Sequence, residues 1–254
     1  MSGKNMILQE IRRELQKNAN EQYHQSIQRF FKEEIKLLGV KTPLIRKISQ
    51  KYFSAIKDRP KQEIFSLCEK LLESGFGEEL GVAFDWTFRL REMFEKKDFP
   101  LLESWLKKYV TNWGACDNLC CNALGYFIFQ FPEYFPKVKK WAVSKNRWVR
   151  RASAVVFIYS INKKKSLAPV FEIANILLLD KDDMVQKGYG WMLKVASNHE
   201  PEKVFEYVMS HKKEMPRTAL RYAIEKLSPD LKKQAMALDQ QQSKYSKITG
   251  ADTR

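Results

Sequence analysis

Asn146-Arg147-Trp148-Val149-Arg150-Arg151-Ala152 is the stretch on which the fold turns, because related openings recur along the chain. Trp113-Gly114-Ala115-Cys116 begins 35 residues before Trp148, Glu78-Glu79-Leu80-Gly81 another 35 before that, and Pro43-Leu44-Ile45-Arg46 a further 35. Met184-Val185-Gln186-Lys187 begins 36 residues after Trp148, and Met215-Pro216-Arg217-Thr218 follows 31 later. Each opening follows a polar or glycine-containing break and leads into apolar residues at helical spacing. One helix pair of this length cannot bury its apolar face alone, so successive pairs must stack. The expectation is an all-α solenoid of about six helix pairs, with the second helix of each pair lining one concave face.

Outward from these openings, helical periodicity continues almost unbroken. Ile7, Leu8, Ile11 and Leu15 mark one apolar stripe. Ile27, Phe30, Phe31, Ile35 and Leu38 mark a second, which Gly39 stops. Thr42-Pro43 opens a third helix, with Thr42 as cap and Pro43 in the first turn. Ile64, Leu67, Cys68, Leu71 and Leu72 form a further stripe, closed by Gly75. Only 10 glycines and 9 prolines occur in 254 residues, and no sustained alternation of period two is present, so no sheet is expected. Residues 1–228 read as a single domain. Residues 229–254, ending in a polar run from Gln240 to Arg254, read as a flexible tail.

The chain carries 45 Lys+Arg against 30 Asp+Glu, a formal charge of +15, which speaks to partners rather than to fold. The phosphate backbone of DNA is the expected polyanion. No apolar run is long enough to cross a membrane, the longest being Ala152 to Ile161, and the N-terminus has no signal-peptide core. Four cysteines, three of them between Cys116 and Cys121, do not form a disulfide framework, so a reduced, cytoplasmic protein is expected. No zinc spacing accompanies them, His24, His199 and His211 are isolated, and no glycine-rich phosphate loop occurs; neither metal nor cofactor is expected. Trp86, Trp105 and Trp141 read as core.

The opening turns of the aligned second helices carry Arg46, Arg150, Arg151, Lys187, Arg217 and Arg221. Basic side chains beside the free N–H groups of a helix start suit phosphate through charge and through the helix dipole. One acid stands out among them. Asp117 lies four residues after Trp113, so the two share a helix face. Trp191 lies four residues after Lys187 on a later unit. Two indoles and a carboxylate on one wall would hold a cation, since aromatic faces attract positive charge. A salt bridge from Asp117 to Arg151 is the alternative use of that carboxylate.

At these residues the chain resembles the AlkD-like family of DNA alkylation repair glycosylases. The resemblance rests on Asn112-Trp113-Gly114-Ala115-Cys116-Asp117, Asn146 to Ala152, and Val185-Gln186-Lys187-Gly188-Tyr189-Gly190-Trp191. Leu38 to Arg46, which contains Thr42, is similar to the family's N-terminal signature, and Arg217 to Tyr222 to its C-terminal one. The resemblance spans roughly residues 25 to 227. It implies HEAT-like repeats and a monomer that excises N3- or N7-alkylated purines from duplex DNA, leaving an abasic site. It also implies no metal, no lyase step, and no deep pocket for the lesion. Trp113, Asp117 and Trp191 match the family's lesion-facing residues, and Arg151 an arginine that supports them. Phe30, Thr42, Arg46, Arg150, Lys187, Lys194, Arg217 and Arg221 are the expected DNA contacts. Lys194 stands where arginine is familiar, which weakens a bidentate phosphate contact without removing the charge, and Phe30 stands where tyrosine is, so a hydroxyl contact is missing.

The rival expectation is a non-enzymatic helical-repeat scaffold for nucleic acid or an acidic protein. It shares the fold and the charge and parts from the enzyme over Asp117, which a phosphate-binding scaffold has no reason to place on a basic face.

Overall fold

The computed structural model describes residues 3–237, and among these it is helical throughout, with no strand. In chain order, α1 (Gly3–Lys17) and the short α2 (Glu21–Gln28) precede α3 (Thr42–Ser54). Then come α4 (Lys61–Leu72) and α5 (Gly77–Arg89), and α6 (Phe99–Tyr109) with α7 (Trp113–Cys121) and its continuation α8 (Ala123–Gln130). α9 (Phe135–Trp141) leads to α10 (Arg147–Val155) and its continuation α11 (Phe157–Asn162). The last units are α12 (Ala168–Leu177) with α13 (Asp183–Ala196), α14 (Pro201–His211) with α15 (Arg217–Ala223), and α16 (Pro229–Met236).

The protein is a helical-repeat solenoid. Its inner row is α3, α5, α7, α10, α13 and α15, each packed on the next. The aligned openings fall where that row requires. Trp113 starts α7; Pro43, Glu78, Trp148 and Met184 are second residues of their helices; Met215 lies two residues before α15. The stripes of α1 and α4 face inward as spacing predicts, with Ile11, Leu15, Ile64, Cys68 and Leu71 wholly buried. Trp86, Trp105 and Trp141 are core, and the Trp86 indole N–H donates to the Ser49 carbonyl at 3.0 Å. Among the described residues no helix is long and apolar enough to cross a membrane.

Three local expectations are corrected. The second apolar stripe is helical only to Gln28, because the Gln28 side chain clasps the following loop. Its Nε2 donates to the Glu33 carbonyl at 2.8 Å, and its Oε1 accepts from the Ile35 N–H at 3.1 Å. Beyond it the N–H groups of Leu38, Gly39 and Val40 all donate to the buried Glu78 carboxylate, at 2.9–3.1 Å. Gly39 sits there at φ 79°, and a Cβ would come within 2.1 Å of the Asn20 carbonyl oxygen. Only glycine permits that approach. Second, Thr42 does not cap α3: it is the first helical residue, and Lys41 precedes it without a side-chain bond. Third, the chain does not leave the fold at residue 229. Ser228 caps α16, which packs on α14 with Ala235 buried. The remaining tail, 238–254, lies outside the described residues.

Candidate active site

Trp113 is placed by the start of α7. The Asn112 side chain accepts the Ala115 N–H at 2.9 Å, fixing the first turn. The indole then stacks on Phe31, with ring centroids 4.7 Å apart and planes within 10°. Its N–H donates to the Phe30 carbonyl at 3.3 Å.

One turn on, Asp117 meets Arg151 of α10 in a two-pronged pair. Nε donates to Oδ1 and Nη2 to Oδ2, both at 2.8 Å. Two parallel bonds of this kind require an ionised carboxylate. The third arm of the guanidinium, Nη1, donates to the Met184 carbonyl at 2.6 Å, so Arg151 joins α7, α10 and α13. Gly188 leaves room for it: a Cβ there would lie 3.0 Å from Arg151 Cγ. The Arg151 side chain is 6% exposed and that of Asp117 19%, so the arginine is sealed in while the carboxylate retains an open edge. Burial pushes the Asp117 carboxyl above its ordinary value, and the hydrogen bonds and charge of Arg151 oppose it without cancelling it. Burial also works against the Arg151 charge, but Asp117 outweighs it and holds the guanidinium protonated more tightly than usual.

Trp191 is half-buried on α13, three residues beyond Gly188 and therefore on the same face. The structure thus pairs Asp117 with Arg151 one helical turn from Trp113 and links α13, which carries Trp191, to the pair through Arg151. The other basic residues divide. Arg150 turns away to Asp180, at 2.6 Å from Nε, and to the Ser144 carbonyl at 2.8 Å. Lys187 pairs with Asp183 at 3.4 Å and Lys194 with Glu225 at 2.7 Å. Arg46, Arg217 and Arg221 are exposed and make no ion pair among the described residues. Phe30 is exposed with its ring outward, and Thr42 is exposed at the start of α3.

Two residues outside the expected set border the candidate site: Phe31, whose spacing reads as part of a helical stripe, and Arg147. Arg147 bonds to Glu33 at 3.0 Å and Asp182 at 2.9 Å. Nothing in the sequence pairs these distant positions. A cavity of about 600 Å³ adjoins the Trp113 side of the site, lined among others by Phe31, Ile45, Phe84, Trp113 and Asn118. The thiols of Cys116 and Cys120 are buried, and Cys68, Cys116, Cys120 and Cys121 are all unpaired. Among the described residues no three His, Cys, Asp or Glu side chains converge as a metal site.

Fold and site together define a helical-repeat protein with a carboxylate gripped by a buried arginine one helical turn from a stacked indole. The family model for DNA alkylation repair enzymes matches residues 11–227, and the chain belongs to that family. A solved structure, described as a predicted DNA alkylation repair enzyme from Enterococcus faecalis, superposes with a TM-score of 0.74. The overlap covers 84% of this chain and 98% of that one at 16% identity, a likeness of fold. A comparison with curated protein sequences found no match.

Proposed function

We propose that the protein is a DNA glycosylase that hydrolyses the N-glycosidic bond of cationic N3- and N7-alkylpurines in duplex DNA. The observation that carries this reading is the Asp117 carboxylate, immobilised by Arg151 one turn from Trp113 yet open at one edge. An N3- or N7-alkylpurine is already positively charged, so its base departs neutral and needs no general acid. The cost lies in the positive charge that develops on the sugar as the C1′–N bond stretches. A fixed carboxylate beside that charge stabilises it without reorganising. Water then bonds to C1′, the C1′–N electron pair leaves with the base, and the water proton passes to the carboxylate or to solvent. A carboxylate has about four lone-pair directions, so two bonds to Arg151 leave capacity for water. Trp113 and Trp191 would flank the cationic nucleotide. Arg46, Arg217 and Arg221, which are exposed and make no ion pair among the described residues, would meet the phosphates.

A second reading has one observation in its favour: Arg151 uses both Asp117 oxygens, as a purely structural pair in a binding scaffold would. The two separate on a duplex carrying a single 7-methylguanine, treated with alkali after incubation to cleave any abasic site. The glycosylase reading expects strand cleavage with the native protein, about 10²-fold slower cleavage with Asp117→Asn, and none on a uracil duplex. Tight binding without cleavage would leave the scaffold.

A further inference from the structure

The loop from Phe30 to Glu33 runs along the first turns of three consecutive inner helices. Phe31 lies on Trp113, the first residue of α7, and beside Gly114, where a Cβ would be 3.5 Å from the ring. Glu33 pairs with Arg147, the first residue of α10, at 3.0 Å. Lys32 pairs with Asp183, the first residue of α13, at 2.8 Å. The loop is itself held by Gln28, which bonds the Glu33 carbonyl and the Ile35 N–H. Four residues therefore tie together elements up to 151 positions apart in the chain.

We infer that Phe31 is a positioning residue: the ion-paired strap presses its ring against one face of Trp113, locking the indole in the orientation that borders Asp117. The inference rests on the glycosylase reading for its consequence in excision, but not for its geometry. The stack occupies one face of the indole and the bond to the Phe30 carbonyl fixes its rotation, so only the other face and its edges remain for a nucleotide. The two ion pairs are partly exposed, with Lys32 64% and Arg147 30% exposed, so salt weakens them. The Lys32 hydrogen bond holds the Asp183 carboxyl below its usual range against burial, so that carboxylate stays charged in mildly acidic conditions.

The test is ¹⁹F NMR of the full-length protein labelled with 5-fluorotryptophan, the Trp113 resonance being assigned through Trp113→Phe. Phe31→Leu should move that resonance and leave the other five, and should slow single-turnover excision by about tenfold with DNA affinity unchanged. Phe31→Tyr, which keeps the ring, should restore both. The double change Lys32→Gln/Glu33→Gln should move the same resonance in the same direction and make it insensitive to added salt. A Trp113 resonance unmoved by Phe31→Leu overturns the inference, as does failure of Phe31→Tyr to restore it. If Phe31→Leu does not fold, the double variant decides: an unmoved resonance overturns the strap. A shifted resonance in a protein whose native form excises nothing would sink the glycosylase reading and leave the positioning role standing.

Discussion

The middle of the inner row and its two ends use the same residue types to opposite effect. At α10 and α13, arginines and lysines are tied to carboxylates: Arg151 to Asp117, Arg150 to Asp180, Arg147 to Glu33 and Asp182, and Lys187 to Asp183. At α3 and α15, Arg46, Arg217 and Arg221 stand exposed and make no ion pair among the described residues. The helix starts differ as well. Those of α7, α10 and α13 are capped by Asn112, Asn146 and Asp182, whereas α3 and α15 have no side-chain cap. A capped, acid-flanked helix start has little left for phosphate; an open basic one attracts it. On the proposed function, the middle of the row would hold the site in shape and the ends would meet the phosphates.

The sharpest way to break this contrast is at its centre. Arg151→Ala would strand a mostly buried carboxylate and open a gap beside Gly188. Urea denaturation should show a loss of about 3–5 kcal/mol, the scale for removing one partner of a buried pair. A loss below about 1 kcal/mol, the scale of an exposed pair, would mean that Arg151 does not organise the middle. Asp117→Asn comes next. It keeps the shape but removes the charge, so single-turnover excision should fall by about 10²-fold, nearly 3 kcal/mol, while DNA affinity holds. A variant excising at the native rate would take Asp117 out of the chemistry.

The pH dependence sharpens the same point. Burial raises the Asp117 carboxyl above the ordinary aspartate range, and only the ionised form can stabilise a cationic sugar. As pH falls, that form is lost sooner than it would be for an exposed aspartate. The acidic limb of the single-turnover profile should therefore lie above that range, while Asp117→Asn should show no such limb. An acidic limb at the value of a free aspartate would contradict the burial argument.

The smallest effects compare middle and ends directly through salt. Arg46→Ala and Arg217→Ala should each make the slope of log K against log[salt] shallower by about one unit, on damaged and undamaged duplexes alike. Arg150→Ala should leave the slope alone and lower stability instead, since its guanidinium already belongs to Asp180. Fluorescence anisotropy over several salt concentrations reads all three. A slope change for Arg150 equal to that for Arg217 would erase the distinction between the two regions.

The repeat, the helix starts and the core tryptophans were legible because each depends on spacing within one segment. Trp113 and Asp117 are four residues apart on one helix, so their shared face follows from helical geometry alone. Basic residues in register looked equivalent for the same reason: a pattern along the chain records which face a side chain is on, not which acid waits opposite. The apolar residues of the loop 29–41 keep helical spacing, yet the loop is not helical. What breaks the helix is a set of bonds from Gln28 and from Glu78, up to 40 positions away.

By itself, the sequence determined the all-helical solenoid, the placement of its units, the basic character and the pairing of an indole with a carboxylate on α7. The tertiary structure alone decided that Arg151 grips that carboxylate while Arg150 turns to Asp180. It alone decided, too, that a short loop beside α2 reaches three later repeats. The physical reason is separation: helical order is set by neighbours within a turn, whereas an ion pair or a ring stack forms between whichever side chains the packed helices bring within a few ångströms.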